Sequence, residues 1–239
     1  PSPSPLPSPP LFFFFYDSAS TDFYILTHHD ALPFSATWAP SEKNEQPWKF
    51  IIIRGEERKA MVKCLKKGIM RNRKGDETAI FSKGYDKIFP SAIYTARVLE
   101  QAPVIVFVVN TKGMDYRQSY PSDKYMMELA DIQSISAAIQ NMCLEATARN
   151  IGSLWTCNIF FAYDELKEWL HADGEMVAAI ALGYTDKEIK AMPRKPLAEV
   201  VEYRGEYPQP KDEVQEAAEA ERSEERTSDL QSRFDLVCR

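Results

Sequence analysis

The spacing of apolar and polar positions switches between two periods along the middle of the chain. "KFIIIRG", residues 49–55, is a β-branched run closed by glycine and predicts a buried strand. The next segment, "EERKAMVKCLKKGIM", repeats its apolar residues at helical spacing, with Met61, Leu65 and Ile69 on one stripe. "APVIVFVVN", Ala102–Asn110, is apolar almost without interruption, as expected of a central strand covered on both faces. "DIQSISAAIQNMCLEATARNIGS" carries the strongest helical pattern, with Asp131 as the expected cap and Gly152 just past the end. Its small and apolar residues run nearly all the way round. Burial on more than one side is therefore expected, in the core or against a second subunit. "LWTCN" then predicts a short strand, "AYDELKEWLH" a short helix, and "EMVAAIALGY" a buried strand that Gly183 ends. This order predicts an α+β fold, with helices flanking a modest mixed or antiparallel sheet.

The two ends break the pattern. The chain opens with the Pro/Ser repeat "PSPSPLPSPP" and has neither Lys nor Arg before Lys43. Residues 1–37 are read as a low-complexity, atypical segment, 38–207 as the globular domain and 208–239 as a charged tail. A length of 239 residues supports one good core. The net charge of −6, with basic residues dispersed, argues against nucleic acid as the main partner. No stretch reaches the roughly 18–20 apolar residues a membrane span needs, and no basic run precedes "LFFFFY", so neither a membrane partner nor a secretory signal is expected. The four cysteines, Cys64, Cys143, Cys157 and Cys238, are far apart, and the chain has only three histidines. That spacing suits neither a zinc site nor a disulfide framework; no metal is expected, and a reducing cytoplasm fits best.

The polar residues that carry chemistry sit just before the first strand. In "WAPSEKNEQPWKFIII", Pro40 fixes φ and the Ser41 hydroxyl can cap a turn. Asn44 and Gln46 offer amide donors and acceptors that match the edge of a flat heteroaromatic ring. An Asx-type turn tied down by the same two amides is the plain alternative. In "NIGSLW", Gly152 and Ser153 place backbone N–H groups after a helix, where they serve either a ligand or an ordinary cap. In "AMPRKPLAEVV", Arg194 and Lys195 stand between two prolines, which suits a phosphate gripped by Arg, or two solvated surface charges.

Taken together, "APSEKNEQPWKFIII", "QAPVIVFVV", "SAAIQNMCLEATARNIGSLW" and "ALGY…PRKPLAEVV" resemble, in order, the nitroreductase family of FMN enzymes. The resemblance covers Trp38 to Arg204. It implies an α+β homodimer with FMN in clefts between subunits. Pro40, Ser41, Asn44 and Gln46 would line the flavin ring and ribityl side. Gly152, Ser153 and Leu154 would lie at the ring edge, and Arg194, with Lys195 beside it, would hold the phosphate. The helix around Gln140 and Asn141 would form the dimer contact, and Tyr94, Arg97 and Tyr163 would approach the substrate cleft. NADH or NADPH would supply hydride, in ping-pong fashion, to a nitroaromatic, quinone or similar flat acceptor. No catalytic acid or base is implied, because the cofactor carries the chemistry.

The chain departs from the family in three places. The Arg-rich segment that usually precedes the first helix has no counterpart here. Losing two charge-assisted hydrogen bonds would weaken FMN by about two to four decades if nothing compensates. Glu42 stands where small residues are common, and a charged tail continues beyond Tyr207. These departures keep an alternative open: a non-catalytic dimeric remnant of the same fold, with FMN binding weakened or lost.

Overall fold

The computed structural model describes residues 31–76, 80–81, 86–185 and 192–205. The chain divides into two compact units, Pro1–Ile189 and Lys190–Arg239. Four strands of the first unit form one sheet: β1 (Trp48–Arg54), β2 (Val104–Asn110), β3 (Gly152–Thr156) and β4 (Glu175–Gly183). They lie in the order β1-β2-β4-β3, and every neighbouring pair is antiparallel. The helices are α1 (Ala31–Thr37), α2 (Glu57–Arg73), α3 (Phe89–Gln101), α4 (Ser122–Ala148), α5 (Tyr163–Leu170) and, in the second unit, α6 (Leu197–Val200). This is the expected α+β class. No helix among the described residues is long and apolar enough to cross a membrane.

All seven residues of β2 are buried, and the pleat sends them into two different cores. Ile105 and Phe107 meet Met61, Leu65 and Ile69 of α2, Ala96 and Leu99 of α3, and Leu166 of α5. Val104, Val106 and Val108 point the other way, to Leu32 and Ala36 of α1 and Ile135, Ala138, Ile139 and Met142 of α4. Helices therefore cover both faces of the sheet. The α2 stripe read from the sequence is buried as expected, with Met61 and Leu65 at 0% exposure. Helix α1 falls in the stretch assigned to the N-terminal segment, yet Leu32 and Ala36 are fully packed against α4. Residues 1–30 and 206–239, which hold most of the atypical N-terminal segment and the charged tail, lie outside the described residues.

Helix α4 differs from its sequence reading at both ends. It begins at Ser122, after Pro121, so Asp131 is interior and only 6% exposed rather than a cap. The added first turns carry Tyr125, Met126, Met127 and Leu129 exposed, which is why no amphipathic pattern announced them. At the far end Asn150, not Gly152, takes the left-handed position, at φ +58°. The Ile151 N–H reaches back to the Ala146 carbonyl at 2.8 Å, closing the helix, and this frees Gly152 to begin β3.

Gly68 of α2 lies so close to the turn before α5 that a Cβ there would come within 2.3 Å of both Ala162 Cα and Cβ. Backbone cannot retreat from such a contact. Gly68→Ala is expected to destabilise the fold by about 1–3 kcal/mol through overpacking, read as a lower urea midpoint with an unchanged m-value.

Candidate functional site

The loop between α1 and β1 is held in an unusual backbone shape. A one-turn 3-10 helix spans Glu42–Asn44. Lys43, Asn44 and Gln46 all have left-handed φ, at +51°, +56° and +47°. That conformation costs roughly 1–2 kcal/mol for a residue with a side chain, less for Asn. Tertiary contacts hold it in place. The Ser41 hydroxyl accepts the Gln46 N–H at 3.0 Å, so it bridges the loop rather than capping the turn. The Glu42 N–H donates to Ser134 Oγ of α4 at 3.3 Å, and that hydroxyl donates to the Ala130 carbonyl at 2.8 Å. The Pro47 carbonyl receives both the N–H and the hydroxyl of Thr111, at 2.8 and 3.1 Å. Lys112 pairs with Glu45.

The two amides tie the loop to itself, as the plain alternative expects: Gln46 Nε2 donates to Asn44 Oδ1 at 3.2 Å. Both side chains are nevertheless exposed. The bond leaves the Asn44 NH2 and the Gln46 oxygen free to face a ligand. Pro40 is exposed beside them and Ser41 half-buried.

Gly152, Ser153 and Leu154 are half-buried in β3, an outer strand of the sheet. Antiparallel pairing with β4 engages only alternate residues, so the others turn their N–H groups outward. Burial pushes the Cys143 thiol up, opposed by its hydrogen bond to Ser153.

Within one chain these two clusters do not meet. Trp48 is level with Asn110, whereas Ser153 is level with Leu182, Val104 and Arg54, the other end of β1. Six residues of strand separate the levels, about 20 Å. Helix α4 gives a second ruler: the loop rests on Ser134 and Ser153 on Cys143. Those positions are about two and a half turns apart, on opposite flanks of the helix. Arg194 and Lys195 are exposed between Pro193 and Pro196, ahead of α6 in the second unit.

The face of α4 turned away from the sheet is open. Gln133 and Gln140 are exposed, and Leu144 is 58% exposed. Between Leu129 and Leu144 the helix carries one charge, Asp131, and it is buried. A solvated helix face ordinarily carries charges, and these four turns carry none that is exposed. Within one chain the helix is thus core on one side and open on the other.

Of the residues expected near the substrate cleft, Tyr163 is 4% exposed, and its hydroxyl is bound to Glu175. Its ring meets Tyr116 edge-on at 5.2 Å. Tyr94 is half-buried and Arg97 exposed on α3. Ser134 and Thr111, which position the loop, carried no signal in the sequence, because a lone hydroxyl has no periodicity.

The geometry defines an α+β protein with helices on both sheet faces and an amide-bearing loop beside an open helix. The chain belongs to the Nitroreductase family, whose family model matches residues 28–184. Solved structures share the fold. One is a putative nitroreductase in complex with FMN from Desulfovibrio desulfuricans, 25% identical, covering 82% of this chain and 91% of that one, with a TM-score of 0.54. A BluB-like flavoprotein from Clostridium difficile is 24% identical, covering 80% and 93%, with a TM-score of 0.59. The FMN-dependent nitroreductase NfnB from Mycobacterium smegmatis, in complex with NADPH, is 18% identical, covering 75% and 89%, with a TM-score of 0.57.

Burial, with Asp115 and Glu128 adding like charge and Arg117 opposing, pushes the Glu175 carboxyl up to about 7. Lys167 lies 2.6 Å from its Oε1. A carboxyl whose folded pKa exceeds its unfolded one binds its proton longer in the folded state, so stability falls as pH rises from about 4.5 through 7. Glu175→Gln should therefore lose less stability than the native protein between pH 5 and pH 8, measured by urea unfolding at both.

Proposed function

We propose that the protein is an FMN-dependent oxidoreductase that works as a homodimer, each site drawing on both copies. The observation that carries this reading is the separation of the two clusters along α4. Residues 40–46 and 152–154 flank the helix on opposite sides, and the helix turns an uncharged face outward between them. An antiparallel pairing of two α4 helices through that face, related by a two-fold axis, brings the loop of one copy toward the β3 edge of the other.

The residues suit the cofactor. Asn44 and Gln46 hold a donor and an acceptor in fixed relation, which matches the alternating polar edge of an isoalloxazine. Outward N–H groups of β3 at Gly152–Leu154 add donors for developing negative charge. Arg194, stiffened between prolines and aided by Lys195, suits a phosphate monoester. FMN, when bound, supplies hydride chemistry between NADH or NADPH and a flat acceptor such as a nitroaromatic or quinone, in alternating half-reactions. The protein's own part is to orient the ring, exclude water from it and stabilise charge at its edge. Among the described residues Cys64, Cys143 and Cys157 are free thiols, which suits a reducing compartment such as the cytoplasm.

A second reading, a dimeric remnant that has lost FMN, is favoured by the absence of Lys and Arg before Lys43. The visible spectrum separates the two. The purified protein, incubated with excess FMN and desalted, is expected to stay yellow; a colourless product means the remnant. Arg194→Ala is expected to weaken FMN roughly ten- to hundredfold in a fluorescence titration with the fold unchanged, the loss of one charge-assisted hydrogen bond. An unchanged affinity would move the phosphate elsewhere.

A further inference from the structure

Two hollows lie along the open face of α4, and they differ in a way that makes them complementary. One, of roughly 290 Å³, is bounded by Pro40, Ser41 and Glu42 of the loop and by Ala130, Gln133 and Ala137 of the helix. In this loop one carboxylate oxygen, Glu42 Oε2, is buried and has no hydrogen-bond partner among the described residues. The other oxygen pairs with Lys43 at 2.9 Å. A buried carboxylate oxygen without a donor costs free energy, so a donor is expected from outside the described residues.

The second hollow is bounded by Ser35, Trp38, Asn141, Leu144, Ala148 and Glu145, whose charge is paired with Arg149. Its rim projects: Trp38 is 70% exposed, and its ring is braced by Phe34, edge-on at 5.9 Å. An exposed indole is a large apolar body with one N–H, which is what the first hollow lacks.

The hollows also match in register. The first is centred near residue 134 of α4 and the second near residue 144. Two α4 helices crossing antiparallel about a two-fold axis at residue 139 lay each hollow of one copy over the other hollow of its partner. Ala130, Gln133, Ala137, Asn141, Leu144 and Ala148 follow one another at steps of three and four, the seam that close helix pairing uses.

We propose that Trp38 of a second copy seats in the hollow beside Glu42 and donates its indole N–H to the Glu42 carboxylate, whose side chain is 33% exposed. Two-fold symmetry makes the contact twice. The proposal rests on the dimer reading above and adds to it a named anchor. Glu42 belongs to the same strained turn as Asn44, so the subunit contact and the amide-bearing loop form one mechanical piece. The residue that departs from the family pattern in this loop thereby acquires a use.

Sedimentation of the full chain across a concentration series tests this, with circular dichroism to check the fold. Trp38→Ala is expected to raise the dimer dissociation constant roughly thirtyfold, as for a buried aromatic anchor, and Trp38→Phe, which keeps bulk but loses the donor, roughly fivefold. Combining Trp38→Phe with Glu42→Ala should weaken the dimer by less than the product of the two single effects. Leu144→Glu, which charges the seam itself, is the control for the dimer reading. If Leu144→Glu dissociates the dimer while both Trp38 variants stay within twofold of native, the anchor is wrong and the dimer stands. A native protein that is monomeric throughout overturns both.

Discussion

Everything about the site follows from the double duty of α4. One side of this helix has to fill the space over β2 and β4, and Ile135, Ala138, Ile139 and Met142 do so without leaving room for anything else. The other side is left with small and uncharged groups, which neither core nor water requires. A helix with that division also separates whatever lies along its two flanks. The loop carrying Asn44 and the strand carrying Ser153 are kept apart by the same packing that stabilises the fold.

The loop itself is shaped from outside. Three non-glycine residues in a left-handed conformation would relax in an isolated peptide. Here Ser134, Thr111 and the Ser41 hydroxyl fix the backbone at three points, and each anchor belongs to a different part of the fold or of the loop. The shape that presents the two amides is therefore a tertiary property. It depends on the register of β1 with β2, since Thr111 directly follows the residue level with Trp48.

This explains what the sequence made legible. Val104–Val109, with apolar groups on both sides, could only be a strand between two layers, and the α2 stripe could only face a core. Asn44 and Gln46 were picked out by residue type, and the structure finds them adjacent and exposed. The start of α4 escaped notice because Tyr125, Met126, Met127 and Leu129 face away from the core and so break the helical pattern. Helix α3 had no reading for another reason: its buried stripe, Ala92, Thr95, Ala96 and Leu99, is made mostly of small residues and is weakly apolar. Asn150 in place of Gly152 turns on a single backbone angle, and Asn and Gly compete for that conformation. The separation of the clusters could not be read at all, because it comes from strand order.

The position of β1 carries one more consequence. Among the described strands it stands at the margin of the sheet, and "WKFIIIR" is the kind of β-branched heptamer that stacks readily with its own kind. Its ladder is guarded at both limits: Pro47 offers no donor where it begins, and Lys49 and Arg54 hold exposed charge along it. Like charge repels a second ribbon laid alongside, so molecules crowded during synthesis are steered away from fibrillar association.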